Sequence, residues 1–377
     1  MLGVPTFSPD RLCPCGVEGD SVRGLAALVG MAVVWAAPKY TRGQVDAAGA
    51  ILASDIKDVA KIEEALQVLN NWRASHSFPL NTFQVGLRDR AREVYPHALV
   101  AQRLKRVPSM LQKLERFGGM RLSQMQDIGG CRAVVETIGQ VHRLTRAYLV
   151  SGLKHKLVNQ KDYIEKPKAS GYRSVHLVYR YASDKKATYN GLQIEIQIRS
   201  RLQHAWATAV ETVGTFLEQA LKSSEGSKEW LRFFAVTSSA FALIEKMPTV
   251  PDTSSDRAEL REMVTAMATA LQVDTTLSAY GEALKIAEDE ASAGSDYFLL
   301  SLDPGAGTLA VVSYRQKELE RATADYLAKE KELAQRPGAQ VVLVAADSME
   351  ALRRAYPNYY LDTGVFIEYL TKVQAGD

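Results

Sequence analysis

Only three cysteines, Cys13, Cys15 and Cys131, occur in 377 residues. That is too few for a disulfide framework, and the chain reads as cytoplasmic. Cys13-Pro14-Cys15 is too short and too isolated for a zinc site, and no other zinc-ligand pattern is present. No apolar run is long enough to cross a bilayer, so no membrane partner is expected. Leu25–Ala37 looks somewhat like a signal-peptide core, but only Arg23 precedes it closely and nothing downstream calls for export. Internal repeats are lacking as well. Residues 1–30 therefore read as a poorly ordered extension, with Met31 an alternative start.

What the chain does have is ordinary soluble composition and enough length for two compact units. Its formal net charge of +3 hides an asymmetry. Arg88–Arg132 carries ten Arg/Lys against four Asp/Glu, and Lys154–Arg173 carries six against two. Clustered cations attract phosphates and speed their arrival. A solvated basic face is the bland alternative.

Residues 43–75 show helical periodicity, with Val59, Ile62, Leu66, Leu69 and Trp72 on one apolar face. Pro79 breaks the pattern, and a further helix is expected over Leu87–Tyr95. Leu99–Val107 should be extended before Pro108, which opens a helix at its favoured position. Ile128–Val135 reads as a buried strand and Val141–Val150 as a crossover helix. Lys154 to Gly171-Tyr172 reads as a cationic loop. Ser174–Tyr181 and Leu192–Arg199 read as strands of a hairpin containing Asn190-Gly191. A helix should follow over Leu202–Leu221. Ser223–Ser227 is a junction, Trp230–Met247 and Asp256–Glu290 are helical, and the last ninety residues form a small α/β unit. It comprises a hairpin over Tyr297–Leu302 and Thr308–Tyr314, a charged helix, the strand Gln340–Ala345 and a short helix to Tyr356. The fold expected is α+β, a mixed sheet flanked by helices with a smaller C-terminal helical and α/β region. Its divisions are 1–30, 31–220, 221–290 and 291–377.

Phosphoryl-type transfer needs a metal on the polyphosphate, cations to spread charge, and a group to orient the nucleophile. Asp127, just before a buried strand, suits Mg²⁺. Glu195 lies with Gln193, Gln197 and Arg199 on the polar face of a strand whose other face is aliphatic, and suits a second metal ligand or a base. Each carboxylate alone would more often be a partly buried group paired with an arginine. Arg103, Lys105, Lys113 and Arg132 are placed for one substrate. Because Asp127 and Arg132 are an odd number apart, a bulge at Gly129-Gly130 would be needed to bring both to one ligand. Lys161, Lys166, Lys168 and Arg173 suit a second polyphosphate, with Tyr172 as a stacking plate and His176 as a contact. His204 and Trp206 brace the site.

The combination resembles the synthetase domain of the RelA/SpoT family, which makes the alarmones ppGpp and pppGpp. The matching pieces are Arg103-Leu104-Lys105 with Ser109 and Lys113, and Asp127-Ile128-Gly129-Gly130-Cys131-Arg132. They continue with Lys161-Asp162-Tyr163-Ile164, Pro167-Lys168 and Gly171–His176, then Glu195–Arg199 with His204-Ala205-Trp206. The resemblance implies a nucleotidyltransferase-like fold and transfer of the β,γ-pyrophosphate of ATP to the 3′-hydroxyl of GDP or GTP. It implies that Arg103 and Arg132 clamp adenine, and that Lys105 and Lys113 hold the ATP phosphates. Asp127 would bind Mg²⁺, and Glu195 would activate the hydroxyl or assist the metal. The guanine-nucleotide side would be Lys161, Lys168, Tyr172, Arg173, His176 and Gln197.

Long family members carry an upstream hydrolase domain with a His-Asp pair. None precedes residue 100, so alarmone hydrolysis is not expected. After Trp206 the chain runs Ala207-Thr208-Ala209-Val210-Glu211, where small synthetases continue with an acidic, His-containing helix. Two other readings stay open. One is a toxic synthetase acting on another 3′-hydroxyl, such as the tRNA acceptor end, under control of the C-terminal unit. The other is a nucleotide-binding sensor without turnover. A homo-oligomer is compatible with the sequence, and a protein partner of the C-terminal unit is left open.

Overall fold

Alternation of aliphatic and polar residues along one strand sets the layering. In Gln193–Ser200, Ile194, Ile196 and Ile198 are fully buried against helices on one face, which leaves Glu195 and Gln197 on the other. The computed structural model describes residues 35–220, 226–282, 285–288, 296–303, 305–333, 336, 339–346, 349–357, 359–360 and 362–376. The expectation for residues 1–30 falls outside this range, as does the junction before Gly226.

The described residues begin with α1 (Arg42–Leu52), α2 (Val59–Ser75) and α3 (Ser77–Val94), followed by β1 (Leu99–Leu104) and α4 (Val107–Arg116). Next come β2 (Gly129–Val135), α5 (Ile138–Val150), β3 (Lys156–Asp162), β4 (Val175–Arg180), β5 (Gln193–Ser200) and α6 (Arg201–Ala220). The helices α7 (Gly226–Ile244), α8 (Arg257–Ala270) and α9 (Val273–Glu282) precede β6 (Lys285–Glu288), β7 (Tyr297–Asp303) and β8 (Thr308–Tyr314). The chain closes with α10 (Leu319–Leu333), β9 (Gln340–Ala345), α11 (Met349–Ala355) and α12 (Gly364–Ala375). Helix starts follow local chemistry. Thr41 and Thr137 close capping boxes with Gln44 and Gln140, and Asp58 caps α2.

The strands form one mixed sheet in the order β3-β4-β5-β2-β1-β9-β7-β8-β6, flanked by helices. β2 and β5 are parallel, joined through α5 and the β3–β4 ribbon, and β1 lies antiparallel to β2. The aliphatic side of β2, β4 and β5 packs on α3 and α5 in a core that includes Leu80, Phe83, Leu144 and Tyr179. A second core joins α6, α7, α8 and α12 around Trp206, Phe233, Phe234 and Phe366. Two further cores cover the faces of β7, β8 and β9, one with α11 and the other with α10.

Several expectations change. Residues 156–162, read as cationic loop, are the edge strand β3, paired in register with β4 from Asn159 to Asp162. Lysines every few residues suit a sheet edge, since their charge discourages further pairing. Pro79 does not interrupt a helix. It sits in the first turn of α3, where its missing N–H costs nothing. The stretch read as helix to Glu290 holds α8, α9 and then β6, and α12 was not anticipated. The expected hairpin, charged helix, strand and short helix of the C-terminal region are present. Their sheet is continuous with the first: Gln102 pairs with Ala345 and Arg103 with Val344.

Candidate active site

Three central strands supply the polar groups. Across β1, β2 and β5, Arg103, Gly130 and Glu195 stand abreast, and Ala101, Arg132 and Gln197 form the next row. Gly130 places no side chain between Arg103 and Glu195, so the row is a trough rather than a ridge. A cavity of about 210 Å³ lies there, lined by Arg103, Lys105, Asp127, Arg132, Tyr172 and Glu195 among others. No bulge is needed. The register of β2 runs unbroken from Gly129 to Val135, and Asp127 sits in the preceding turn, where strand parity does not apply.

Asp127 receives Lys105 Nζ at 3.0 Å and Lys113 Nζ at 2.8 Å, one on each carboxylate oxygen. Burial works to raise its pKa, but the two ammonium groups outweigh that and hold it below the usual carboxylate range. Lys105 arrives from the end of β1 and Lys113 from the middle of α4, which Pro108 starts in its first turn.

Glu195 closes a ring of hydrogen bonds. His176 Nδ1 lies 2.8 Å from Glu195 Oε1, and Gln197 Nε2 donates to Oε2 at 2.7 Å. His176 Nε2 lies 2.7 Å from the Tyr172 hydroxyl, which accepts from Arg199 Nη2 at 2.7 Å. Arg199 Nη2 also donates to Gln197 Oε1 at 3.3 Å. An arginine only donates and a carboxylate only accepts. With a neutral imidazole the polarity therefore runs from Arg199 through both branches to Glu195. Burial acts to raise the Glu195 carboxyl, but its bonds to His176 and Gln197 keep it below the ordinary value. Arg199 was absent from the expected contact residues. Its position two residues beyond Gln197, on the same face, is the signal that could have found it.

The loop after β3 divides the expected acceptor residues. Lys168 places its ammonium 4.3 Å from the Tyr163 ring centroid and 4.9 Å from that of Tyr172. Lys161 is exposed at the end of β3, directly across from His176. Lys166 is also exposed. Arg173 turns away from the cavity and is buried. Its guanidinium donates to Ser238 Oγ, Ile164 O and Pro248 O at 3.1, 3.1 and 2.6 Å. Burial lowers its pKa to about 10. The expectation that Arg173 faces a polyphosphate is thus not met, because all three of its nitrogens are engaged inward.

His204 and Trp206 brace the site from α6: His204 Nδ1 lies 3.4 Å from Arg132 Nη1, and Trp206 Nε1 donates to Phe234 O at 2.9 Å. Arg132 is pushed down to about 10, by burial first and then by the neighbouring Arg199 charge. One cavity residue comes from far along the chain. The Tyr356 ring centroid lies 5.6 Å from the Arg132 guanidinium carbon, and its hydroxyl donates to Gln102 O at 2.8 Å. No periodicity or motif signalled that contact. Ser109 lines a neighbouring polar cavity of about 420 Å³ with Arg103, Arg106, Glu211 and Glu330. Among the described residues, no group of three or more His, Cys, Asp or Glu is arranged to hold a metal ion. Nor, among them, is any helix long and apolar enough to cross a membrane.

Residues 102–215 match the region found in RelA and SpoT proteins. The chain is 34% identical over 115 residues to the GTP pyrophosphokinase YjbM of Bacillus subtilis, covering 30% of this chain and 54% of that protein. With the GTP pyrophosphokinase YwaC of the same organism it shares 31% over 111 residues, 28% of this chain and 52% of the other. The chain thus spans about half the length of the curated relatives it matches. Among solved structures, it is similar to small alarmone synthetase 1 from Bacillus subtilis bound to its product pppGpp. That likeness has a TM-score of 0.40 and 26% identity, covering 49% of this chain and 94% of the other. Asp127, Arg132, Tyr172, Glu195 and the ring around Glu195 all fall inside the stretch, residues 102–215, that is similar to the region found in RelA and SpoT proteins.

Proposed function

We propose that the chain transfers the β,γ-pyrophosphate of ATP to the 3′-hydroxyl of GDP or GTP, making (p)ppGpp for stress signalling. The observation that carries this reading is the trough on β1, β2 and β5, which holds two carboxylates within a set of cations in one cavity. Arg103 and Arg132 would grip the adenine, with Lys105 and Lys113 on the donor phosphates. Tyr172 would stack on the guanine, with Lys161, Lys168, His176 and Gln197 beside it. The acceptor oxygen bonds to the β-phosphorus, the bond between the α-phosphate bridging oxygen and that phosphorus breaks, and AMP leaves. Glu195 takes the hydroxyl proton. His176 and Gln197 favour its ionised form and hold both of its oxygens in place.

Asp127 and Glu195 fit a Mg²⁺ ion. Both face the same cavity, and Mg²⁺ is usually bound through one or two carboxylates plus substrate phosphates. Asp127 would be its principal ligand, exchanging a lysine contact, with Glu195 assisting. A bound ion would neutralise charge on the polyphosphate.

A second reading concerns control and rests on Tyr356. Its ring lies beside Arg132, where the adenine would be gripped, yet it comes from outside the RelA/SpoT region. On this reading the C-terminal segment would restrain ATP binding. That device suits a toxic synthetase whose acceptor is another 3′-hydroxyl, such as the tRNA acceptor end. One assay separates these readings: protein, Mg²⁺ and γ-labelled ATP with GDP, GTP or deacylated tRNA. Label on a guanine nucleotide supports the first reading and label on tRNA the second. Nucleotide binding without any transfer would leave a sensor.

A further inference from the structure

We propose that α7 is a positioning element of the acceptor side, acting through Ser238, although it lies wholly outside residues 102–215. The inference rests on Tyr172 being the plate for the acceptor base. The turn that presents Tyr172 is not held by its own strand alone. Ser238 Oγ donates to Gly171 O at 2.6 Å and accepts from Arg173 Nε at 3.1 Å, so one hydroxyl fastens both residues flanking Tyr172. Arg173 Nη2 extends the fastening to Pro248 O, just beyond α7, at 2.6 Å. Ser238 and Arg173 are 2% and 4% exposed, so water does not substitute for these bonds.

Sterics close the same joint. Gly171 has φ +88°, and a Cβ there would lie 2.8 Å from Trp206 Cζ2, 2.9 Å from Ser238 Cβ and 3.1 Å from Phe234 O. Only glycine lets the turn settle this deeply between α6 and α7. Trp206, whose indole bonds to Phe234 O, fixes α6 to α7 at that point. The Tyr172 ring itself packs on the core that these helices share. Its hydroxyl meanwhile reaches the ring that ends on Glu195. A shift of the turn would therefore move the plate and loosen its link to the carboxylate together. Residues 226–250 belong to the nucleotide-handling machinery rather than to a connector.

The test is equilibrium GDP binding and steady-state kinetics of the full chain, comparing wild type with Ser238→Ala and Arg173→Lys. The expected result is GDP affinity weakened about tenfold, the scale of one or two buried hydrogen bonds, and acceptor KM raised in step. ATP KM should stay unchanged. A merely structural role would lower the melting temperature and the active fraction while leaving both KM values alone, and that outcome overturns the proposal. If Ser238→Ala is too poorly folded to measure, Arg173→Lys carries the same comparison, because a lysine cannot reach all three partners. Wild-type protein that fails to bind GDP would overturn the acceptor assignment of Tyr172, and this inference with it. GDP binding that is identical in wild type and variants would overturn only the role of α7.

Discussion

The Tyr356 ring lies 5.6 Å from the guanidinium carbon of Arg132, across a seam between residues 102–215 and the C-terminal segment. A planar ring against a guanidinium is the contact that an adenine would make. If Tyr356 holds that place, Tyr356→Ala should strengthen ATP binding by the reciprocal of the open fraction, about tenfold or more. The same change empties a fully buried position and should cost about 3 kcal/mol of stability. Calorimetry with ATP and a denaturant melt check the two together. A gain in binding alongside a loss of stability marks a latch, whereas ATP binding that falls or stays level would discard it.

Glu195→Gln keeps the shape of the side chain but removes the proton acceptor. Transfer should fall by at least about 10²-fold, the usual scale of general-base catalysis. ATP binding should be largely spared, since the role proposed for Glu195 is toward the acceptor hydroxyl. Label transfer and ATP titration check this, and undiminished turnover would remove Glu195 from the mechanism.

Asp127 has a folded-state pKa held below its unfolded value by Lys105 and Lys113 against the pull of burial. A depressed carboxylate pKa contributes stability above the unfolded value, near 4, and loses it as pH falls through the lower folded value. Wild type should therefore exceed Asp127→Asn by about 1 kcal/mol or more at pH 7. The gap should narrow progressively as pH falls below the usual carboxylate range. Urea melts in chelator at pH 7 and at a series of acid pH values measure it, and a gap that does not depend on pH would contradict the assigned cause.

Arg199 ties the two branches of the ring together through a single nitrogen that reaches Tyr172 and Gln197. Arg199→Lys keeps the charge but not the planar geometry. Turnover should drop about tenfold or more, as for loss of a charge-assisted hydrogen bond. Circular dichroism should show the fold retained. Full turnover in Arg199→Lys would mean that the ring does not position Glu195.

Much of the site was legible because strand alternation is a strong local signal. Ile194, Ile196 and Ile198 on one side place Glu195, Gln197 and Arg199 on the other, whatever the rest of the chain does. The basic stretches and the glycine-tyrosine pair were equally plain. Arg173 misled because charge says nothing about direction. The side chain follows the turn, and the turn is set by α7. β3 was hidden because an exposed edge strand needs no apolar alternation, so its lysines read as loop.

The sequence by itself determined the central strands, the polar face they share and the RelA/SpoT pattern spread across them. Each follows from spacing within a few residues. Tertiary structure alone decided that β9 continues the sheet beside β1, that Tyr356 stands against Arg132, and that Ser238 holds the turn of Tyr172. Those relationships join residues far apart in the chain, and they come from packing surfaces together, which no local periodicity encodes.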